Sequence, residues 1–271
     1  MEKESSSFRE RWEISDPRWE RDGLRQLTIR SAALGRRGDV TLHVPRGYTG
    51  NDAGRLPLVI LLHGVYGSHW VWTSKAGVHE TQQRLIDAGT IPPMLLAMPS
   101  DGLFQEGSAY VAHPDADYGS WIMDDVPRAI AAATDLIDPR APVFLSGLSM
   151  GGFGAMHLGG LYPQRVAAVS AHSSLTQLSQ LSLFTDAYPT AYPFAHDHAI
   201  AKTWAEARGP LPRLRVDCGK GDRLLLANRI LHEDLELSGV EHSYFEFEGG
   251  HEWSYWQRHI ADSLLFFAHS F

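Results

Sequence analysis

The sequence predicts an α/β fold: a mostly parallel, doubly wound sheet with helices on both faces. Three observations predict it. Short apolar runs recur at residues 58–62, 94–98, 143–145, 166–171 and 214–218, and such runs suit strands buried on both faces of a parallel sheet. Segments of helical periodicity lie between them, near 78–88, 120–137, 150–162 and 224–238, the alternation that βαβ units require. Several runs also end in glycine-rich or polar loops, where ligands of open α/β sheets bind.

Composition bounds the rest. A chain of 271 residues suits one α/β domain, and 44% hydrophobic with 21% charged residues is the balance of a soluble globular protein. A net charge of −8 without any Lys/Arg run argues against a nucleic-acid partner. Cys218 is the only cysteine, so no intramolecular disulfide forms. Residues 1–23 carry no apolar core of a signal peptide, and no stretch has membrane-spanning length. The expectation is a cytoplasmic protein with no membrane partner; a homo-oligomer is left open.

In chain order, residues 1–22 read as an N-terminal arm whose Trp12 and Trp19 pack on the body, and 23–271 as a single domain. Two strands are expected at 24–33 and 39–44 around a turn at 35–38, then a polar loop at 49–55. The 58–62 strand ends at His63-Gly64 and opens a glycine-punctuated aromatic loop, 65–72. A helix near 78–88 is broken by Pro92-Pro93 before the strand at 94–98. Residues 103–119 read as loop, and 120–137 as a helix capped by Ser120. The 143–145 strand runs into a helix to about 162, and the 166–171 strand follows. Residues 175–213 form an insertion near the active-site rim. The strand at 214–218, helix 224–238 with Gly239 as its stop, strand 242–247 and closing helix 253–267 complete the pattern.

Chemistry concentrates at Gly147-Leu148-Ser149-Met150-Gly151, a G-x-S-x-G match at a strand-to-helix turn. Such a turn strains the serine backbone, and side chains two residues before and after it would collide, hence the glycines. The turn lifts the Ser149 hydroxyl above the sheet edge and leaves the Met150 N–H aimed where an oxyanion would form. Asp222 follows the 214–218 strand and His251 follows the last strand, giving the order Ser…Asp…His. His251 would take the serine proton, and Asp222 would fix the imidazole tautomer. Asp217 is the competing carboxylate. It lies within the strand, whereas Asp222 lies beyond Gly219 and Gly221, where the chain can turn towards histidine.

A second oxyanion donor is expected from Val65, with Tyr66 as alternative, while His63 and Gly64 read as loop-shaping residues. Trp70, Trp72, Tyr118, Trp121 and Trp253 are candidates to bind substrate, ordinary packing being the competing role for each. His113-Pro114-Asp115-Ala116-Asp117 and His196-Asp197-His198 match no metal motif, so neither metal nor cofactor is expected.

Taken together, Leu61-Leu62-His63-Gly64, Gly147-Leu148-Ser149-Met150-Gly151-Gly152, Gly219…Asp222 and Gly250-His251 resemble the esterase D family of α/β hydrolases. The resemblance spans residues 24–267. It implies the α/β-hydrolase fold, the triad Ser149, Asp222 and His251, and oxyanion donors at Val65 and Met150. The expected function is a serine carboxylesterase acting through an acyl-enzyme on small to medium acyl esters. The alternatives are an acyltransferase of the same family and a catalytically silent binding protein of this fold. In place of the Ser-Gly-Leu-Thr-Cys type of loop usual in S-formylglutathione hydrolases, the chain has His63-Gly64-Val65-Tyr66-Gly67, which argues against a glutathione thioester substrate.

Overall fold

Strands that begin and end together bring their loops to one rim, and a computed structural model shows that alignment here. It describes residues 11–48, 55–102, 106–186 and 198–270. Within them the strands are β1 (Trp12–Ile14), β2 (Leu24–Arg30), β3 (Arg37–His43), β4 (Leu58–Leu62), β5 (Leu95–Pro99), β6 (Val143–Leu148), β7 (Val166–His172), β8 (Arg213–Gly219) and β9 (Ser243–Phe247). They form one sheet in the order β1-β2-β3-β5-β4-β6-β7-β8-β9. The first three strands join antiparallel, and β5 through β9 run parallel. Leu62 lies opposite Gly147, Leu148 opposite His172, His172 opposite Asp217, and Gly219 opposite Phe247. The carboxyl ends of β4, β6, β7, β8 and β9 therefore share one edge.

Eight α-helices are described: α1 (Val71–Ser74), α2 (Val78–Asp87), α3 (Tyr118–Ser120), α4 (Val126–Thr134), α5 (Met150–Leu161), α6 (Ile200–Ala205), α7 (Leu225–Leu237) and α8 (Trp253–Ala268). The central strands are apolar throughout because both faces are covered. Ile60 and Leu62 of β4 join a core with Ile130, Phe153 and Leu231 of α4, α5 and α7. Val59 and Leu61 point the other way, among Trp72, Val78, Ile260 and Leu264 of α1, α2 and α8. Each such buried side chain contributes about 1.5–3 kcal/mol relative to exposure.

Two expectations change. The arm supplies an edge strand, β1, but Trp19 is 75% exposed and Trp12 also faces solvent. Backbone pairing to β2, not tryptophan packing, attaches it. The helix expected at 120–137 starts earlier, on Asp117, whose carboxylate accepts the Ser120 N–H at 2.9 Å. It then makes a π turn over Trp121–Asp125. Pro127 has no N–H to offer the Met123 carbonyl; that carbonyl accepts from the Arg165 guanidinium instead. The helix stops at Asp135 in a left-handed conformation.

Candidate active site

Ser149 sits between β6 and α5 with φ 55° and ψ −120°, a conformation costly for any residue with a Cβ. Its surroundings enforce it. A Cβ on Gly147 would lie 2.1 Å from the Gly151 carbonyl oxygen, and one on Gly151 would lie 2.2 Å from that of Leu62. The second clash is with neighbouring β4 rather than with the turn itself, so the strand pairing as well as the turn requires glycine. The Ser149 N–H donates to His172 O at 3.0 Å, and its carbonyl accepts from Phe153 and Leu175.

The loops after β8 and β9 are zipped together. Lys220 N–H donates to Phe247 O and Gly221 N–H to Gly249 O, both at 2.8 Å. A Cβ on Gly219 would lie 2.6 Å from Gly249 O, so this approach needs glycine. The pairing delivers His251 to Asp222. His251 Nδ1–H donates to Asp222 Oδ2 at 2.8 Å, and the other carboxylate oxygen accepts the Leu224 N–H at 2.8 Å. On the far side of the ring, His251 Nε2 lies 3.0 Å from Ser149 Oγ, placed to accept its proton.

Asp217 stays away from His251. It is fully buried, contacts the Arg215 guanidinium, lies 2.8 Å from His172 Nδ1 and accepts the Tyr255 hydroxyl at 2.7 Å. Burial alone would raise its pKa, but His172, Arg215 and Tyr255 hold it down to about 2.

Of the two expected oxyanion N–H groups, Met150 provides the first of α5, which has no acceptor within its helix. In the loop after β4, the Tyr66 N–H donates to Glu106 O at 2.8 Å, so Tyr66 is engaged and Val65 stays the candidate. His63 is a loop-shaping residue. Its Nδ1–H donates to Gly64 O at 2.7 Å, its Nε2 accepts the Asp101 N–H at 3.2 Å, and the Tyr110 hydroxyl bridges its backbone N–H and carbonyl.

The aromatic candidates divide. Trp72, Tyr118 and Trp121 are at most 1% exposed. The indole N–H of Trp72 donates to Leu62 O, that of Trp121 donates to Ser100 O, and the Tyr118 hydroxyl accepts from Arg36. All three are packed in the core, the competing role that the sequence left open for them. Trp70 is 46% exposed, and Trp253 packs edge-on against Trp72 and Trp256. The aromatics that touch the triad are others. Phe184 lies against His251 with ring centroids 4.8 Å apart and planes tilted by 34°, and Trp256 meets the same ring edge-on at 5.0 Å. Phe184 lies in the insertion and Trp256 inside α8, so no motif marked either.

His113 is occupied by Ser108 O and Tyr118, and the described residues hold no group of three possible metal ligands. His196 and Asp197 fall outside the described residues. Among the described residues no helix is long and apolar enough to cross a membrane.

Residues 31–267 match the family model named Esterase, described as "Putative esterase". The chain belongs to the Esterase family. An acetyl esterase of Caldicellulosiruptor saccharolyticus is 25% identical to this esterase over 233 residues, covering 79% of this chain and 84% of that protein. Among solved structures, a ferulic acid esterase superposes with a TM-score of 0.78 at 23% identity, over 98% of this chain and 100% of its own. FphF, a fluorophosphonate-binding serine hydrolase of Staphylococcus aureus, superposes with a TM-score of 0.76 at 18% identity, over 90% and 97%. The α/β-hydrolase fold is thus common to this esterase and both.

Proposed function

We propose that this esterase is a serine carboxylesterase of the esterase D type in which Ser149 is the nucleophile, His251 the general base and Asp222 its orienting carboxylate. The observation that carries the reading is the continuous chain from Ser149 Oγ to His251 Nε2 at 3.0 Å and from His251 Nδ1 to Asp222 at 2.8 Å. His251 takes the hydroxyl proton as Ser149 attacks the ester carbonyl, and the Met150 and Val65 N–H groups stabilise the resulting oxyanion. The imidazolium, stabilised by Asp222, then gives its proton to the leaving alcohol, and water hydrolyses the acyl-enzyme by the same relay in reverse.

The named activity of the acetyl esterase relative and the covered nucleophile, with Ser149 3% exposed, support short acyl groups as substrates. The reading includes one domain over 23–271 and a cytoplasmic location. The test is Ser149→Ala, expected to stay folded while losing about 10⁴-fold in kcat on p-nitrophenyl acetate, together with covalent labelling by a fluorophosphonate. A variant retaining a tenth of the wild-type kcat, or label found on another residue, would sink the assignment.

A further inference from the structure

The face of His251 that Phe184 covers is bordered by an unusual set of groups. Phe184 is gripped from two sides. Its carbonyl accepts the Tyr66 hydroxyl at 2.8 Å, a bond from the oxyanion loop to the insertion. The Arg223 guanidinium lies 5.3 Å from the centre of its ring and donates to Leu183 O at 3.3 Å. Arg223 follows Asp222 directly in the chain and is exposed, as is Tyr66. Among the described residues no carboxylate forms an ion pair with Arg223, as is also the case for Arg36, Arg84 and Arg213. A cation at this rim stands out on a chain of net charge −8.

The chemistry says which part of the substrate arrives there. His251 Nε2 must protonate the leaving oxygen, so the alcohol leaves from beside the imidazole. From the imidazole to the Phe184 ring and on to the guanidinium are two short steps, 4.8 and 5.3 Å. The guanidinium therefore lies within about 10 Å of the imidazole, in reach of a substituent on a ring-bearing alcohol that leaves past Phe184. We propose that Arg223, Phe184 and Tyr66 form an alcohol-side subsite that selects esters whose leaving group is a ring carrying a negative charge. The inference rests on the triad reading above and adds the chemical class of the alcohol. Phe184 supplies the apolar face, Tyr66 holds it in place, and Arg223 supplies the charge recognition.

The test compares 4-acetoxybenzoate with its neutral isostere 4-acetoxybenzamide, as the ratio of kcat/KM values in wild type and variants. Taking the ratio between proteins cancels the intrinsic reactivity of the two esters. Wild type is expected to favour the anionic ester over Arg223→Gln by about three- to tenfold at low salt, an advantage that shrinks towards 0.5 M salt. Arg223→Lys should keep part of it, since charge rather than fork geometry carries a single exposed contact. Phe184→Ala should lower kcat/KM for both ring esters relative to ethyl acetate. A ratio that is the same in wild type and Arg223→Gln, with both esters hydrolysed, overturns the subsite and leaves the triad standing. If wild type hydrolyses none of the esters, both readings fail.

Discussion

The two aspartates of β8 and its loop offer the sharpest separation between chemistry and stability. Asp222 gives one oxygen to His251 and the other to the Leu224 N–H, each at 2.8 Å. Asp222→Asn keeps a carbonyl oxygen for Leu224 and removes the charge that stabilises imidazolium, so kcat should fall by about 10²–10⁴-fold. The melting temperature should move by no more than about 2 °C. Asp217 is different. It neutralises Arg215, which is itself buried, and its carboxyl is held at about 2 against an ordinary 3.8. That preference for the charged form is worth about 2 kcal/mol. Stranding the Arg215 guanidinium costs about 3 kcal/mol, at the low end for a broken buried pair because Asp262 remains 3.6 Å away. Asp217→Asn should therefore lower the melting temperature by about 5–10 °C with kcat within about tenfold of wild type. Thermal melts and p-nitrophenyl acetate kinetics on both variants, side by side, decide it. If Asp217→Asn proves stable and inactive while Asp222→Asn keeps its activity, the assignment of the orienting carboxylate is wrong.

Further outcomes follow from single contacts. Gly151→Ala would place a methyl 2.2 Å from Leu62 O, a backbone atom that cannot swing aside, so soluble expression should drop sharply and any recovered protein should melt well below wild type. Wild-type stability in that variant would refute the close approach of β4 and the elbow. Burial lowers the pKa of His43 and of His157 from 6.5 to about 4. Both stay neutral in the folded protein while the unfolded chain takes up protons, so their contribution is present above pH 6.5 and lost as pH falls towards 4. The loss is up to about 3 kcal/mol each, readable as urea midpoints at pH 7 and 4.5. His157→Leu should flatten part of that slope, and an unchanged slope would count against a buried neutral His157. Trp121→Phe removes the indole bond to Ser100 O and should cost about 1–3 kcal/mol in stability with KM altered less than twofold; a large KM change would return Trp121 to the substrate site.

The sequence by itself determined the architecture and singled out the candidate residues of the site. Residues 58–62 and 143–145 read as buried strands because a strand covered on both faces has no polar position to break the run. Ser149 stood out because a strained turn admits only glycine at 147 and 151, and Asp222 was separable from Asp217 because a strand interior and a glycine-flanked loop leave different room to turn. Tertiary structure alone decided the aromatics. Trp72, Tyr118 and Trp121 lie close in the chain to exposed residues, and composition does not tell a ring that faces the core from one that faces a substrate. Phe184 and Arg223 are 39 positions apart in the chain, yet the fold sets the Arg223 guanidinium 5.3 Å from the Phe184 ring and that ring 4.8 Å from His251. The same holds for Met123, whose carbonyl was freed by Pro127 four residues away but finds its donor in Arg165, beyond the elbow. Local pattern encodes what a segment's own backbone and faces require; which distant side chain supplies the missing partner depends on a register that only the packed sheet defines.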